Sequence, residues 1–370
     1  MRFTARTKLL DQQLQNISRV VTTRQSVPVL SNVLIETDKN IVRLSGSDID
    51  LAVTTHLPGT ILEEGAFTVP AKLLQEFVHQ NPDEEIEFTL ESYELVCKSA
   101  KVEGRIAGMD ADEYPPLPQA GKGIRVVLPL QAFVSCVKQV VIACANDQAR
   151  PILTGIFMQL QGDTAILAAT DSFRLVERTL TIVPMQESMS VVIPSRTIQE
   201  IVRVAGAVQG DPSLILTIDD QQLLAQINEV ELYSRLVIGN FPKYRAIIPT
   251  AFQAEVEVTT SELVQALRLT YVFSNSGISN VLLELDEAGN FAVKSYGSQK
   301  GGAQHVLAGV PHDGFTALSV PFNARYLLDA CNAAGTPSIT LAFSGVTTPL
   351  VIRTDDPSYL QLVMPIRLDR

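Results

Sequence analysis

Three stretches of the chain read alike: GAFTVPAKLLQEFV (65–78), MSVVIPSRTIQEIV (189–202) and FTALSVPFNARYLLDA (315–330). Each runs as a short apolar strand, meets a proline, and then changes to helical spacing. Pro70, Pro194 and Pro321 lie 124 and 127 residues apart. Proline suits such a junction, because its missing N–H would be unpaired in a first helical turn anyway. A recurrence at this period is the signature of a chain built from structural repeats.

Working outward, the stretch preceding each junction repeats as well. LLDQQLQNISRVVTTRQSVPVLSNVLIET (9–37) is followed by IVRLSGSDIDL (41–51), LQAFVSCVKQVVIACANDQARPILTGIFMQL (130–160) by AILAATDSFRL (165–175), and TSELVQALRLTYVFSNSGISNVLLEL (260–285) by FAVKSYG (291–297). Pro28 and Pro151 are 123 apart, as are Asp48 and Asp171. In the first unit Leu10, Leu14, Ile17 and Val21 fall at helical spacing, and in the second Leu130, Val134, Val137, Val141 and Cys144 do so. Each such helix has one apolar face and packs one-sidedly. Strands alternate, as in Ile86-Glu87-Phe88-Thr89-Leu90, or run apolar, as in Val281-Leu282-Leu283, with Gly, Asn and Asp between them. The reading is an α+β protein of three tandem copies of one fold. Each copy has two helices on one side of curved antiparallel sheets. The expected domains are 1–120, 121–249 and 250–370, with boundaries near Gly121 and Pro249.

Composition agrees with packed domains: 46% of the 370 residues are hydrophobic and 19% charged. No stretch approaches the roughly 18 apolar residues of a membrane span. MRFTARTKLLDQQLQ lacks the apolar run of a signal peptide, so a cytoplasmic setting is expected, with no membrane partner. Cys97, Cys136, Cys144 and Cys331 form no CxxC pair and are read as reduced core residues. The net charge of −11 opposes nucleic-acid binding if it is evenly spread. It is not. The helix segments carry Lys8, Arg19, Lys72, Lys138, Arg196, Arg203, Arg268 and Arg325 against Asp11, Glu76, Glu200, Glu262 and Asp329, a net +3 that leaves −14 for the remainder. If the helices share a face, that face is mildly basic. Ordinary solvated Lys and Arg give the same count, so charge alone leaves both readings open.

Catalytic and metal motifs are lacking. His56, His79, His305 and His312 lie far apart, without HxxxH or HExxH spacing. Asp48 and Asp50 in SGSDIDL resemble a carboxylate pair, but their counterparts are Asp171 and Phe173, with Tyr296 near the third position. Turn-capping by aspartate explains this better. SQKGGAQH (298–305) is not a P-loop, because its glycines follow a lysine in an inter-strand loop. No enzyme, cofactor or metal is expected. A β-rich hydrolase using Asp48 or Asp171 stands as a rival, which turnover abolished by Asp171→Asn with folding intact would favour.

Four stretches together resemble one family: SVPVLSNVLIE (26–36), ATDSFRL (169–175), NFPKYRAIIP (240–249) and the C-terminal LVMPIRL (362–368). With the three-repeat layout they resemble the bacterial sliding clamps, the β subunits of DNA polymerase III, over essentially the whole chain. The resemblance implies a head-to-tail homodimer forming a ring, with helices lining a central hole around duplex DNA bound without regard to sequence. It implies phosphate contacts from Arg24, Lys72 and Arg196. It places a dimer interface at Phe77 and Ile106 of one protomer against Val272 and Phe273 of the other. SNSGISNVLL (274–283) lacks the basic residues often found at that seam.

The resemblance further implies a peptide-binding cleft between the second and third domains. There DNA polymerase III α subunit, the clamp-loader complex, and other polymerases and repair proteins insert a linear motif with Gln, Leu and Phe anchors. The matching positions are Leu153, Thr170, Ser172, Phe173, Arg174, Leu175, Pro242, Ile247, Leu362, Val363, Met364, Pro365, Ile366, Arg367 and Leu368. Aliphatic and methionine side chains give an adaptable groove there, and a few polar groups set the peptide's direction. Ala246 stands where arginine is common in the family, and Asp369 and Arg370 extend past the usual terminal leucine. The implied function is a processivity factor; the alternative is a repeat-built protein-binding scaffold that does not encircle DNA.

Overall fold

The computed structural model describes residues 1–21, 27–118, 123–210, 212–273, 280–295, 301–312 and 314–366. Among these residues there are six α-helices, two in each repeat: α1 Thr7–Ser18, α2 Ala71–Gln80, α3 Leu130–Val140, α4 Ser195–Ala207, α5 Thr260–Tyr271 and α6 Ala324–Ala334. All strand pairing between named strands is antiparallel, and the four cysteines are free and buried. No helix among the described residues is long and apolar enough to cross a membrane.

Two compact units emerge, and they do not follow the repeats. One comprises residues 1–131 and 196–236, the other 132–195 and 237–370, so the middle repeat is shared between them. The reason is strand pairing across repeat boundaries. In the first unit Leu51–Pro58, from the first repeat, pairs with Val230–Arg235, from the second, within an eight-stranded sheet. In the second unit Arg174–Thr181 pairs with the C-terminal strand Tyr359–Val363, within a nine-stranded sheet. Smaller sheets of five and four strands complete the first and second unit respectively. Each helix buries an apolar stripe: Leu10, Leu14 and Ile17 on α1, Leu263, Ala266 and Leu267 on α5.

The proline junctions hold twice and shift once. Pro70 ends its strand and caps α2, and Pro194 ends its strand immediately before α4. Pro321 instead lies inside the edge strand Leu318–Asn323, and α6 begins three residues later, where the Asn323 side chain accepts from the Arg325 amide. An edge position tolerates proline because the missing donor points away from the paired strand, and Asn is a strong helix cap. Gly335 closes α6 at φ 66, the left-handed conformation that favours glycine.

Two helices stop short of their sequence periodicity. Beyond α1, Val20 and Val21 both donate to the Ile17 carbonyl, and beyond α3 the chain tightens into a 3₁₀ turn, Val141–Ala143, leaving Cys144 extended. Both tracts are rich in β-branched residues, which lower helix propensity.

An ion pair brackets the second unit's cross-repeat pairing. Arg178 donates through Nη1 to Asp356 Oδ2 at 2.6 Å and to Ser358 Oγ at 2.7 Å, and its guanidinium lies 5.8 Å from the Tyr359 ring centroid. The Ser358 hydroxyl, with help from its amide and from Arg178, holds the Asp356 carboxyl down at about 2 from the ordinary 3.8. A depressed carboxyl stabilises the fold above its unfolded-state value, and that contribution is lost as pH falls from 3.8 towards about 2. Asp356→Asn should therefore lower the unfolding midpoint at neutral pH. It should also flatten the decline of stability across that acid window, as read by denaturant titration at stepped pH.

Candidate functional site: the groove beside the cross-repeat strands

The turn that precedes Arg174 is built by one aspartate. Asp171 Oδ1 accepts from the Phe173 and Arg174 amides, each at 2.9 Å, and the Asp171 amide donates to the Arg174 carbonyl at 3.3 Å. Thr170 adds its hydroxyl, which donates to the Arg174 carbonyl at 2.7 Å and accepts from the Ser172 amide at 3.1 Å. This holds Ser172 at φ 78 and presents Phe173 outward, 60% exposed. The first repeat makes the same turn: Asp48 Oδ1 accepts from Asp50 and Leu51, and Ile49 sits at φ 86. A β-branched residue there is strained by about 1–3 kcal/mol. Both aspartates thus serve as turn caps and ion-pair partners. Among the described residues no His, Cys, Asp and Glu cluster fit for a metal occurs.

Arg174 is not an open recognition group. It is only 9% exposed; Nε donates to Asp171 Oδ2 at 2.9 Å, Nη1 to Asp329 Oδ2 at 2.7 Å, and the guanidinium lies 4.5 Å above the Tyr326 ring. It joins the turn to α6. Leu153, Leu175, Leu362 and Val363 are buried. The C-terminal segment is pinned on both sides: the Met364 amide donates to the Phe173 carbonyl at 2.8 Å and the Ile366 amide to the Pro321 carbonyl at 2.9 Å. Met364, Pro365 and Ile366 are half-buried. Pro242, just before the 3₁₀ turn Tyr244–Ile247, is exposed, and Ile247, its last residue, is 51% exposed. Arg367 and Leu368 lie outside the described residues.

Several groups here escaped the sequence reading. Tyr244, inside the NFPKYRAIIP stretch, is buried against Ala168, Leu175 and Leu362, with Phe157 and Phe241 packed beside it. Phe157 and Phe241 stack at 4.9 Å. The Tyr244 hydroxyl donates to Glu177, and burial together with that bond pushes its pKa above the ordinary tyrosine value. Arg150, exposed, donates to Ser172 Oγ at 3.1 Å.

Of the cations expected to face phosphate, Arg24 lies outside the described residues. Lys72 is exposed at the second position of α2. Arg196, at the second position of α4, is taken up by the fully buried Asp48 and also donates to the Val20 carbonyl at 3.3 Å. Arg325 holds the same second position on α6 and is exposed. Neither Lys72 nor Arg325 has an ion-pair partner among the described residues. Of the positions expected at a dimer seam, Phe77 is half-buried against Gly104, where a Cβ would come within 2.5 Å of its ring. Ile106 is only 3% exposed and belongs to the first unit's core, whereas Val272 is 75% exposed and Phe273 half-buried.

Comparison with known proteins places this geometry in context. Family models for the N-terminal, central and C-terminal domains of the DNA polymerase III beta subunit match residues 1–118, 127–243 and 245–367. A beta sliding clamp of Bacillus subtilis is 28% identical over 379 residues, covering 99% of this chain and all of that relative. The crystal structure of the DNA polymerase sliding clamp from Bacillus subtilis superposes with a TM-score of 0.95 at 27% identity, and that of the DNA polymerase III beta subunit from Thermotoga maritima with 0.92 at 26%. Both superpositions cover 100% of either chain.

The two α2 and α4 cations should separate in a stability measurement. Arg196→Ala strands the buried Asp48 carboxylate and should cost about 2–4 kcal/mol in urea unfolding. Lys72→Ala should change stability by less than about 0.5 kcal/mol.

Proposed function

Because the chain belongs to the DNA polymerase III β-subunit family, whose function is that of a DNA sliding clamp, we propose that two copies close head to tail into a ring around duplex DNA. In this reading the domains are 1–120, 121–249 and 250–370, and the first domain of one protomer meets the third of the other. Unlike-surface contacts of this kind make closed rings when the rotation closes. Phe77 and the edge strand Glu103–Ala107 lie at the seam, against Val272 and Phe273 of the other copy. The burial of Ile106 assigns it to support of that edge. The observation that carries the reading is the match along the entire chain to sliding clamps, in sequence and in fold.

The mechanism is topological. A closed ring leaves DNA only by opening or by sliding off an end, so its lining needs few phosphate contacts, and too many would stop sliding. Lys72 and Arg325, at equivalent helix positions in the first and third repeats, are the free cations assigned to phosphate, together with Arg24. Arg196 contributes less, because Asp48 already neutralises it. Sliding clamps are processivity factors and not enzymes, and the reading assigns no catalytic residue.

The groove over Leu175, Leu362 and Val363 takes a short linear motif. DNA polymerase III α subunit, the clamp loader, and other polymerases and repair proteins are the occupants inferred from the family. Phe173, Pro242, Ile247 and Met364 form its accessible wall and lip. Tethering through it keeps a polymerase at high effective concentration near the primer end. The cytoplasm is the assigned compartment, where such DNA and partners occur.

Retention after loading tests the ring directly. The protein should stay on nicked circular DNA and be lost when the circle is linearised; equal retention on both forms would favour the non-encircling scaffold instead. In unloaded binding to short duplexes, Lys72→Ala and Arg325→Ala should each reduce the salt slope by about 1, and Arg196→Ala by clearly less.

A further inference from the structure

Residues 238–252 carry two of the groove's accessible positions, Pro242 and Ile247, yet they form no strand and only one 3₁₀ turn. Among the described residues, their main chain is tied to the sheets only at the two ends. The Val237 amide donates to the Val192 carbonyl at 2.9 Å, and the Gln253 amide to the Phe343 carbonyl at 2.7 Å. Between these ties the amides of Tyr244, Ala246 and Ile248 bond only within the segment, to Pro242, Lys243 and Arg245. Among the described residues, Tyr244 and Arg245 are the segment's only side chains with a hydrogen bond or ion pair to the sheet, and both reach Glu177. Arg245 does so loosely, with Nε at 3.5 Å and a side chain 59% exposed. Tyr244 is 6% exposed, its ring edge-on to Phe157 at 6.4 Å and to Phe241 at 6.1 Å. Glu177 lies two residues beyond Leu175 on the same strand, and Leu175 pairs with Leu362, which the groove reading places in its floor.

We infer that the Tyr244–Glu177 pair is the positioning element of the peptide groove: it fixes the wall carrying Pro242 and Ile247 at a set height above the floor, without touching the peptide. The inference rests on the groove reading given above. A buried hydroxyl aimed at a carboxylate is a charge-assisted, directional bond, which packing of the aromatic cluster alone does not supply. Without it the wall samples more positions, only a fraction of them able to bind. Apparent affinity then falls by that fraction. A loss of this kind appears in the association rate, whereas loss of a direct contact appears mainly in dissociation.

The test uses the full-length protein and a labelled peptide bearing Gln, Leu and Phe anchors, followed by equilibrium binding and stopped-flow kinetics. Tyr244→Phe removes only the hydroxyl and should weaken binding by roughly three- to tenfold, chiefly through slower association. Glu177→Gln keeps an acceptor and should fall between Tyr244→Phe and the unsubstituted protein. Ile247→Ala, a direct contact in this reading, should instead accelerate dissociation. Met364→Ala serves as the separate check on the groove. If it leaves peptide binding unchanged, the groove is misplaced and this inference falls with it. If Met364→Ala weakens binding while Tyr244→Phe changes neither affinity nor association rate by as much as twofold, the groove stands and the positioning role is wrong.

Discussion

Main-chain pairing across repeat boundaries is the constraint on which the rest of this molecule depends. A repeat with a one-sided helix pair and short sheets leaves strand edges unpaired, and an open edge is a liability in water. Here the middle repeat closes one edge of each of its two sheets by pairing outward, with Leu51–Pro58 through Val230–Arg235 and with Tyr359–Val363 through Arg174–Thr181. Each compact unit therefore contains parts of two repeats. The proposed groove follows from this arrangement, because its floor residues Leu175 and Leu362 are directly paired members of one such junction.

The repeats share a scaffold and differ in what they attach to it. The aspartate turn at Asp48 and that at Asp171 cap two amides each in the same way and hold the following residue at positive φ. Their charges are met differently. Asp48 is answered by Arg196 from α4, whereas Asp171 is answered by Arg174 in its own turn, which also reaches Asp329 on α6. In the first unit the arrangement locks a helix start. In the second it stiffens a turn whose exposed Phe173 is offered to solvent. The two repeats thus keep one backbone turn and differ in which cation answers its aspartate.

Much of this was legible in the chain itself because it is written locally. Proline at a strand-to-helix switch, an apolar helix stripe and an aspartate before a turn are all signals carried within a few residues, and repetition at one period made them reinforce each other. Pro321 shows the limit: the same residue type entered an edge strand, because Asn323 offered a better cap. What escaped was long-range. Glu177 and Tyr244 are 67 residues apart, and Arg196 and Asp48 are 148 apart. Nothing in the spacing announces either pair. For the same reason Arg174 and Arg196 read as recognition cations, although the fold occupies both. The resemblance put Ile106 at the dimer seam, yet its side chain is buried in the first unit's core.

The central claim is that two chains close a ring, with the first repeat of each against the third repeat of the other. Sedimentation equilibrium at micromolar concentration tests it most directly. The account predicts a single species of twice the chain mass that persists on dilution through the low micromolar range. A stable monomer across that range would contradict it, because one chain supplies only half of the enclosure.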